Sequence, residues 1–79
     1  MKKESNKNPH KQLQNLLRQI RQEAGLRQAD LAKRLGKPQS YVSKYELGER
    51  RLDLVELNQI CKTLKTSLDE FVRKFQKFL

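Results

Sequence analysis

Residues 28 to 47 of this sequence, Gln-Ala-Asp-Leu-Ala-Lys-Arg-Leu-Gly-Lys-Pro-Gln-Ser-Tyr-Val-Ser-Lys-Tyr-Glu-Leu, concentrate short, hydrogen-bonding side chains. Glutamine, serine and lysine fall together in the second half of the stretch, where helical spacing makes them a polar, neutral-to-basic face. Such a face can donate and accept hydrogen bonds at the edges of nucleic-acid bases. That chemistry needs a rigid platform, and the apolar residues of the stretch say what the platform is.

The spacing of Gln28, Ala32, Gly36 and Val42 specifies two short helices joined by a tight turn. Ala32 falls where the two helices come closest, and a larger side chain would push them apart. Gly36 falls where the first helix stops and the chain must turn, a position that often needs positive φ. The β-branched side chain of Val42 is expected to pack back onto Leu31 and Ala32. The arrangement is that of a helix-turn-helix, which offers its second helix to the DNA major groove. The alternative is an ordinary helical hairpin with no DNA role. The ordered set of small and branched residues favours the former.

Around this pair the sequence predicts three more helices. Met1 to Asn8 carries no apolar residue after the initiator and is expected to be a disordered basic arm, residues 1–8. Asn8-Pro9 is a helix start, a capping Asn before a Pro at the first helical position. Leu13, Leu16, Leu17, Ile20 and Ala24 make one apolar stripe, Gly25 stops that helix, and Leu26 plugs the core. Helix two runs from about Gln28 to Leu35. Pro38 opens helix three, which ends at Gly48. Asp53 caps helix four with Glu56 completing a capping box, and Leu54, Leu57, Ile60, Cys61 and Leu64 form its stripe. Ser67 with Glu70 is read as a second capping box opening helix five, about 67–78, whose stripe is Leu68, Phe71, Val72, Phe75 and Leu79. No strand pattern occurs. The expected fold class is all-α, a compact five-helix domain over residues 9–79.

Length and charge narrow the function. Seventy-nine residues allow one domain and leave no room for a separate sensor or catalytic unit. A chain this short buries only about 60% of its unfolded surface, so dimerisation would help it. The net charge is +9, and it is lopsided: residues 1–51 hold 13 basic and 5 acidic side chains, residues 52–79 hold 5 and 4. The positive field belongs to the half carrying the helix pair, which points to a polyanionic partner. The single cysteine, Cys61, lies in an apolar helical context and reads as a buried, inert thiol in a reducing compartment. His10 has no second metal ligand near it, so no metal and no cofactor are expected. There is no apolar run of membrane-spanning length and no signal-peptide core, so the expected location is cytoplasmic. No paired carboxylates, activated nucleophile or phosphate loop suggest an enzyme.

With these residues assembled, Leu17 to Leu26, Gln28 to Gly36, Val42 to Gly48 and Leu54 to Phe71 together resemble the phage-repressor-like helix-turn-helix proteins of the Cro/C1 or Xre family. The resemblance covers roughly residues 13 to 75. It implies a lambda-repressor-like domain of four or five helices that binds operator DNA as a dimer. It implies that Gln39, Ser40, Ser43 and Lys44 read base edges. The types suit that role: Gln can bond adenine N6 and N7, Lys can donate to guanine O6 and N7, and Ser can serve either. Gln28 resembles a glutamine that bonds a phosphate and braces the start of the recognition helix. Arg21 and Glu46 resemble a partly buried structural ion pair tying helix one to helix three. The sequence departs from the family pattern at Pro38, where many members carry a Ser or Thr cap. It departs again at Leu47, where many place Asn or Arg against a phosphate, and at Lys65, where Gly is usual after helix four.

Basic residues flanking a reading helix are the usual clamps on the DNA backbone. Arg27, Lys37, Arg50 and Arg51 are therefore expected at phosphates. Tyr41 could offer its hydroxyl to a phosphate or pack its ring on the helix, and Tyr45 is expected in the core or at its boundary. Helix five is more aromatic than a capping helix needs, so Phe75, Phe78 and Leu79 are candidates for a dimer surface across a two-fold axis. The expected function is sequence-specific binding of double-stranded DNA by a transcriptional regulator, a repressor acting as a dimer on a palindromic operator. The alternatives are an antitoxin that also binds a toxin protein, and a restriction-modification controller protein.

Overall fold

A computed structural model describes residues 8–79. The basic arm expected for residues 1–8 therefore lies outside the described residues, except for Asn8. Among the described residues all regular structure is helical: α1 (Pro9–Glu23), α2 (Gln28–Leu35), α3 (Gln39–Leu47), α4 (Leu54–Thr63) and α5 (Leu68–Gln76). The helix α2 packs on α3 and α4, while α1 packs on α3 and α5, and α5 closes the bundle against α4.

Local chemistry sets the helix boundaries. The Asn8 side-chain oxygen accepts from the backbone N–H groups of His10 and Lys11, and Pro9 takes the first helical position, where its missing N–H is no loss. Between α2 and α3 the chain turns at Gly36, whose φ of +70° is left-handed. The Lys37 N–H reaches back to the Ala32 carbonyl at 2.9 Å and closes the turn. Pro38 caps α3 with extended backbone and supplies no side-chain hydrogen bond, so the hydroxyl-to-amide bond of a Ser or Thr cap is lost. Asp53 and Glu56 form the reciprocal capping box of α4. Among the described residues Lys65 is the non-glycine residue with positive φ, +61°, and the Thr66 N–H bonds the Cys61 carbonyl across it. The turn keeps the shape glycine would give it, with a lysine strained into it.

The core collects Leu16, Leu17 and Ile20 of α1, Leu31 and Ala32 of α2, Val42 and Tyr45 of α3, Ile60, Cys61 and Leu64 around α4, and Phe71 of α5. Ala32, Leu31 and Val42 lie in it together, as their spacing required. Burial pushes the Cys61 thiol up to about 11, so at neutral pH it is an unreactive thiol.

Four expectations are corrected. Ala24, expected in the α1 stripe, is the C-cap of that helix and is exposed. Leu54, expected in the α4 stripe, is 67% exposed. Asp53, Leu54 and Val55 are all exposed, so the first turn of α4 stands clear of the helices packed on the rest of it. Ser67 accepts from the Glu70 N–H, but the Glu70 carboxylate takes the Thr66 hydroxyl instead of returning to the cap, so the second capping box is half formed. In α5 only Phe71 is fully buried, Phe75 is half-buried and Val72, expected in the stripe, is exposed; Leu79, also expected there, follows the end of the helix at Gln76 and is exposed.

Candidate nucleic-acid interface

The helix α3 has two unlike faces. Val42, Tyr45 and Glu46 are buried. Gln39, Ser40 and Lys44 are exposed and Ser43 is half-buried. Among the described residues none of these four polar side chains has a hydrogen-bonding or ionic partner within the chain. Their donors and acceptors stand open to the outside, with 40, 43 and 44 on one face and 39 beside 43. Leu47 continues that face and is 59% exposed, with no polar atom to offer.

One buried carboxylate fixes how this face is aimed. Glu46 is 1% exposed. It accepts from Arg21 Nε at 2.7 Å and Nη2 at 3.0 Å, and from the Gln28 amide at 3.0 Å. Arg18 joins the cluster, its Nε at 3.7 Å from the carboxylate and its Nη2 donating to the Glu46 carbonyl. The remaining Arg21 donor, Nη1, reaches the Leu26 carbonyl at 2.8 Å. The bidentate bond to Glu46 raises the Arg21 pKa above its ordinary value despite burial. The ion pair the sequence implied is thus a four-residue hub joining α1, α2 and α3. Arg18 went unassigned in the sequence, although it stands three residues before Arg21 and so on the same face of α1. Gln28 bonds Glu46, in the last turn of α3 and not at its start, so the amide nitrogen expected at a phosphate is engaged inside the molecule.

The clamp candidates fall into two groups beside α3. The Tyr41 ring, half-buried, stands edge-on to Tyr45 at 5.6 Å between centroids. The Lys37 ammonium lies 5.3 Å from the Tyr41 ring centre and the Arg50 guanidinium 4.9 Å from it, both within cation–π range. Tyr41 therefore uses its ring as a platform for two cations, and burial raises its hydroxyl pKa, keeping the proton on. Arg50 is in turn ion-paired with Glu56. At the other end, Arg27 is held by Asp30 through its backbone N–H (2.9 Å), Nε (3.0 Å) and Nη2 (3.1 Å). The Arg27 guanidinium draws the Asp30 carboxyl down to about 2. Arg51 is exposed. Asp30 and Glu56 were not singled out as site residues in the sequence, since each looks like helix-capping chemistry alone. The expected dimer residues lie elsewhere, at the end of α5, where Phe78 is 44% and Leu79 63% exposed. Among the described residues no group of His, Cys, Asp and Glu is arranged to hold a metal ion.

Known proteins share this fold. A family model described as Helix-turn-helix matches residues 17–71. Comparison with curated proteins gives no match. Among solved structures, an XRE-family like protein from Pseudomonas syringae pv. tomato str. DC3000 is 40% identical, with a TM-score of 0.81 over 87% of this chain and 84% of that one. The wild-type restriction-modification controller protein C.Esp1396I is 28% identical, with a TM-score of 0.82 over 90% and 91% of the two chains. The tetramer of that controller in complex with its natural 35 base-pair operator matches at 28% identity and a TM-score of 0.81, over 90% and 93%. The buried hub, the left-handed glycine turn and the open polar face are thus joined by a family match over more than half the chain: this protein belongs to the Xre family of helix-turn-helix proteins.

Proposed function

We propose that this DNA-binding transcriptional regulator acts as a homodimer that places two copies of α3 in successive major grooves of a palindromic operator, and that it represses by occluding polymerase. The observation that carries the reading is the unpartnered polar face of α3, Gln39, Ser40, Ser43 and Lys44, on a helix whose other face is locked in the core. Arg27, Gln28, Lys37, Tyr41, Arg50 and Arg51 border it as backbone contacts, with Gln28 and Tyr41 acting through the groups they brace as well as through their own polar atoms. The exposed Phe78 and Leu79, with the half-buried Phe75, are the surface assigned to the dimer. The setting this requires is the cytoplasm; no described helix is long and apolar enough to cross a membrane.

Selection of sites from a random duplex pool, with the mass of the complex determined, tests the proposal. An enriched inverted repeat with half-sites roughly 34 Å apart and two protomers bound is the expected result. No enrichment despite salt-sensitive binding would overturn it. The likeness to C.Esp1396I favours a second reading, a controller of a restriction-modification operon, which activates as well as represses. Adjacent endonuclease and methyltransferase genes would support that reading; a co-encoded toxin that co-purifies would point to an antitoxin.

A further inference from the structure

Both arginines that border α3 in ion pairs are held by carboxylates that also cap a helix. Asp30, at the third position of α2, accepts from the Arg27 N–H at 2.9 Å and from the Arg27 guanidinium at 3.0 and 3.1 Å. Glu56, at the third position of α4, accepts from the Asp53 N–H at 3.0 Å through one oxygen and from Arg50 through the other. The cap fixes each carboxylate in place, so it cannot swing away when its arginine is wanted elsewhere. An arginine that turns to a phosphate must leave or share a carboxylate that stays beside it, and that negative charge then needs a cation from solution.

We infer that Asp30 and Glu56 set the affinity of this protein for DNA, acting as internal competitors that hold Arg27 and Arg50 away from the phosphate backbone. The inference rests on the DNA-binding reading above and adds to it which residues weaken the contact. Each phosphate contact made by a free cation releases counterions worth a slope of about 0.9 in log affinity against log salt. An arginine already neutralised by a fixed carboxylate gives up that release. Removing the carboxylate charge should restore it, so the gain in affinity should be larger at low salt. Over a fourfold change in salt, that slope corresponds to about a 3-fold difference in gain.

The test is the binding of a labelled non-operator duplex, by anisotropy at 50 and 200 mM salt. The proteins are the wild type, Glu56→Gln, Asp30→Asn, the double variants Arg50→Gln/Glu56→Gln and Arg27→Gln/Asp30→Asn, and their single arginine parents. Glu56→Gln keeps an oxygen for the Asp53 N–H, so the cap survives. Asp69→Asn, which loses a carboxylate paired with Arg73 on α5, reports the effect of overall charge alone. Glu56→Gln and Asp30→Asn are each expected to bind several-fold tighter than Asp69→Asn, by about 3-fold more at 50 mM than at 200 mM salt, and the gain should vanish when the paired arginine is already Gln. A gain that persists without the arginine, or one no greater than that of Asp69→Asn, overturns the inference. If Glu56→Gln loses helical signal, the Asp30 cycle decides. Failure of the wild type to bind any duplex, selected or random, would overturn the DNA-binding reading as well, whereas binding without these gains removes only the present inference.

Discussion

Glu46 is the residue on which the aim of the recognition helix depends. Burying a charge is costly, and a buried ion pair adds little net stability over an apolar pair, but removing one partner leaves the other uncompensated. Glu46→Ala should destabilise the fold by about 3–5 kcal/mol in urea unfolding, because Arg21 is 7% exposed and among the described residues pairs with no other carboxylate. The residues proposed to face bases should behave in the opposite way. Gln39→Ala and Lys44→Ala should leave the midpoint unchanged to within about 0.5 kcal/mol, since neither side chain has a partner among the described residues. In site selection each should relax preference at particular base pairs, by about 1–3 kcal/mol per lost bidentate contact. Arg51→Ala should weaken all sequences alike and lower the salt slope by about one. Asp30 gives a pH signature. Its folded pKa, about 2, lies below the ordinary 3.8 of an aspartate, so its contribution to stability is complete above about pH 5 and is lost as pH falls towards 2. Acid titration of Asp30→Asn should show a shallower loss of stability in that window, and no difference in slope between pH 6 and 8.

At the scale of the element, the turn after α4 is the informative one. Lys65 adopts a left-handed conformation that costs an L-residue roughly 1–2 kcal/mol. Lys65→Gly should raise stability by about 0.5–1 kcal/mol, the larger unfolded entropy of glycine offsetting part of the relief. The gain should appear as a melting temperature higher by a few degrees. This turn also shows what was legible in the chain. The αL shape at Gly36 and the helix stops at Gly25 and Gly48 could be read from residue types, because glycine is where the backbone most readily turns left-handed. The departure at Lys65 could be read too, as a lysine where the family pattern has glycine. What could not be read depends on where helices end in space. Leu54 keeps the period of its helix yet faces outward, because periodicity says which side of α4 is apolar and not how far its neighbours extend. Glu70 has the spacing of a capping box, but the hydroxyl of Thr66 lies within reach and takes its carboxylate. In the site, the open face of α3 was legible because it follows from spacing within one helix. The company Glu46 keeps was only partly so, since Arg18 and Gln28 come to it from two other helices.

For the molecule as a whole, the division of charge is the first determinant of behaviour. The half that contains α2 and α3 carries almost all of the excess of +9, so encounter with DNA should be steered and affinity should fall steeply with salt. The other end is nearly neutral and exposes Phe78 and Leu79. Sedimentation at high micromolar concentration without DNA should give a dimer for the parent, and a monomer for Phe78→Glu with the helical signal retained. A parent that is already monomeric under these conditions would remove α5 from the interface. The buried side of α3 has a consequence for the history of such a protein. Because the hub of Glu46 and the apolar residues secure the helix from behind, the letters written on its outer side carry no share of folding. If Gln39, Ser40, Ser43 and Lys44 read bases as proposed, a lineage can rewrite them and so move to a new address in a genome, while the frame that holds them is inherited unchanged.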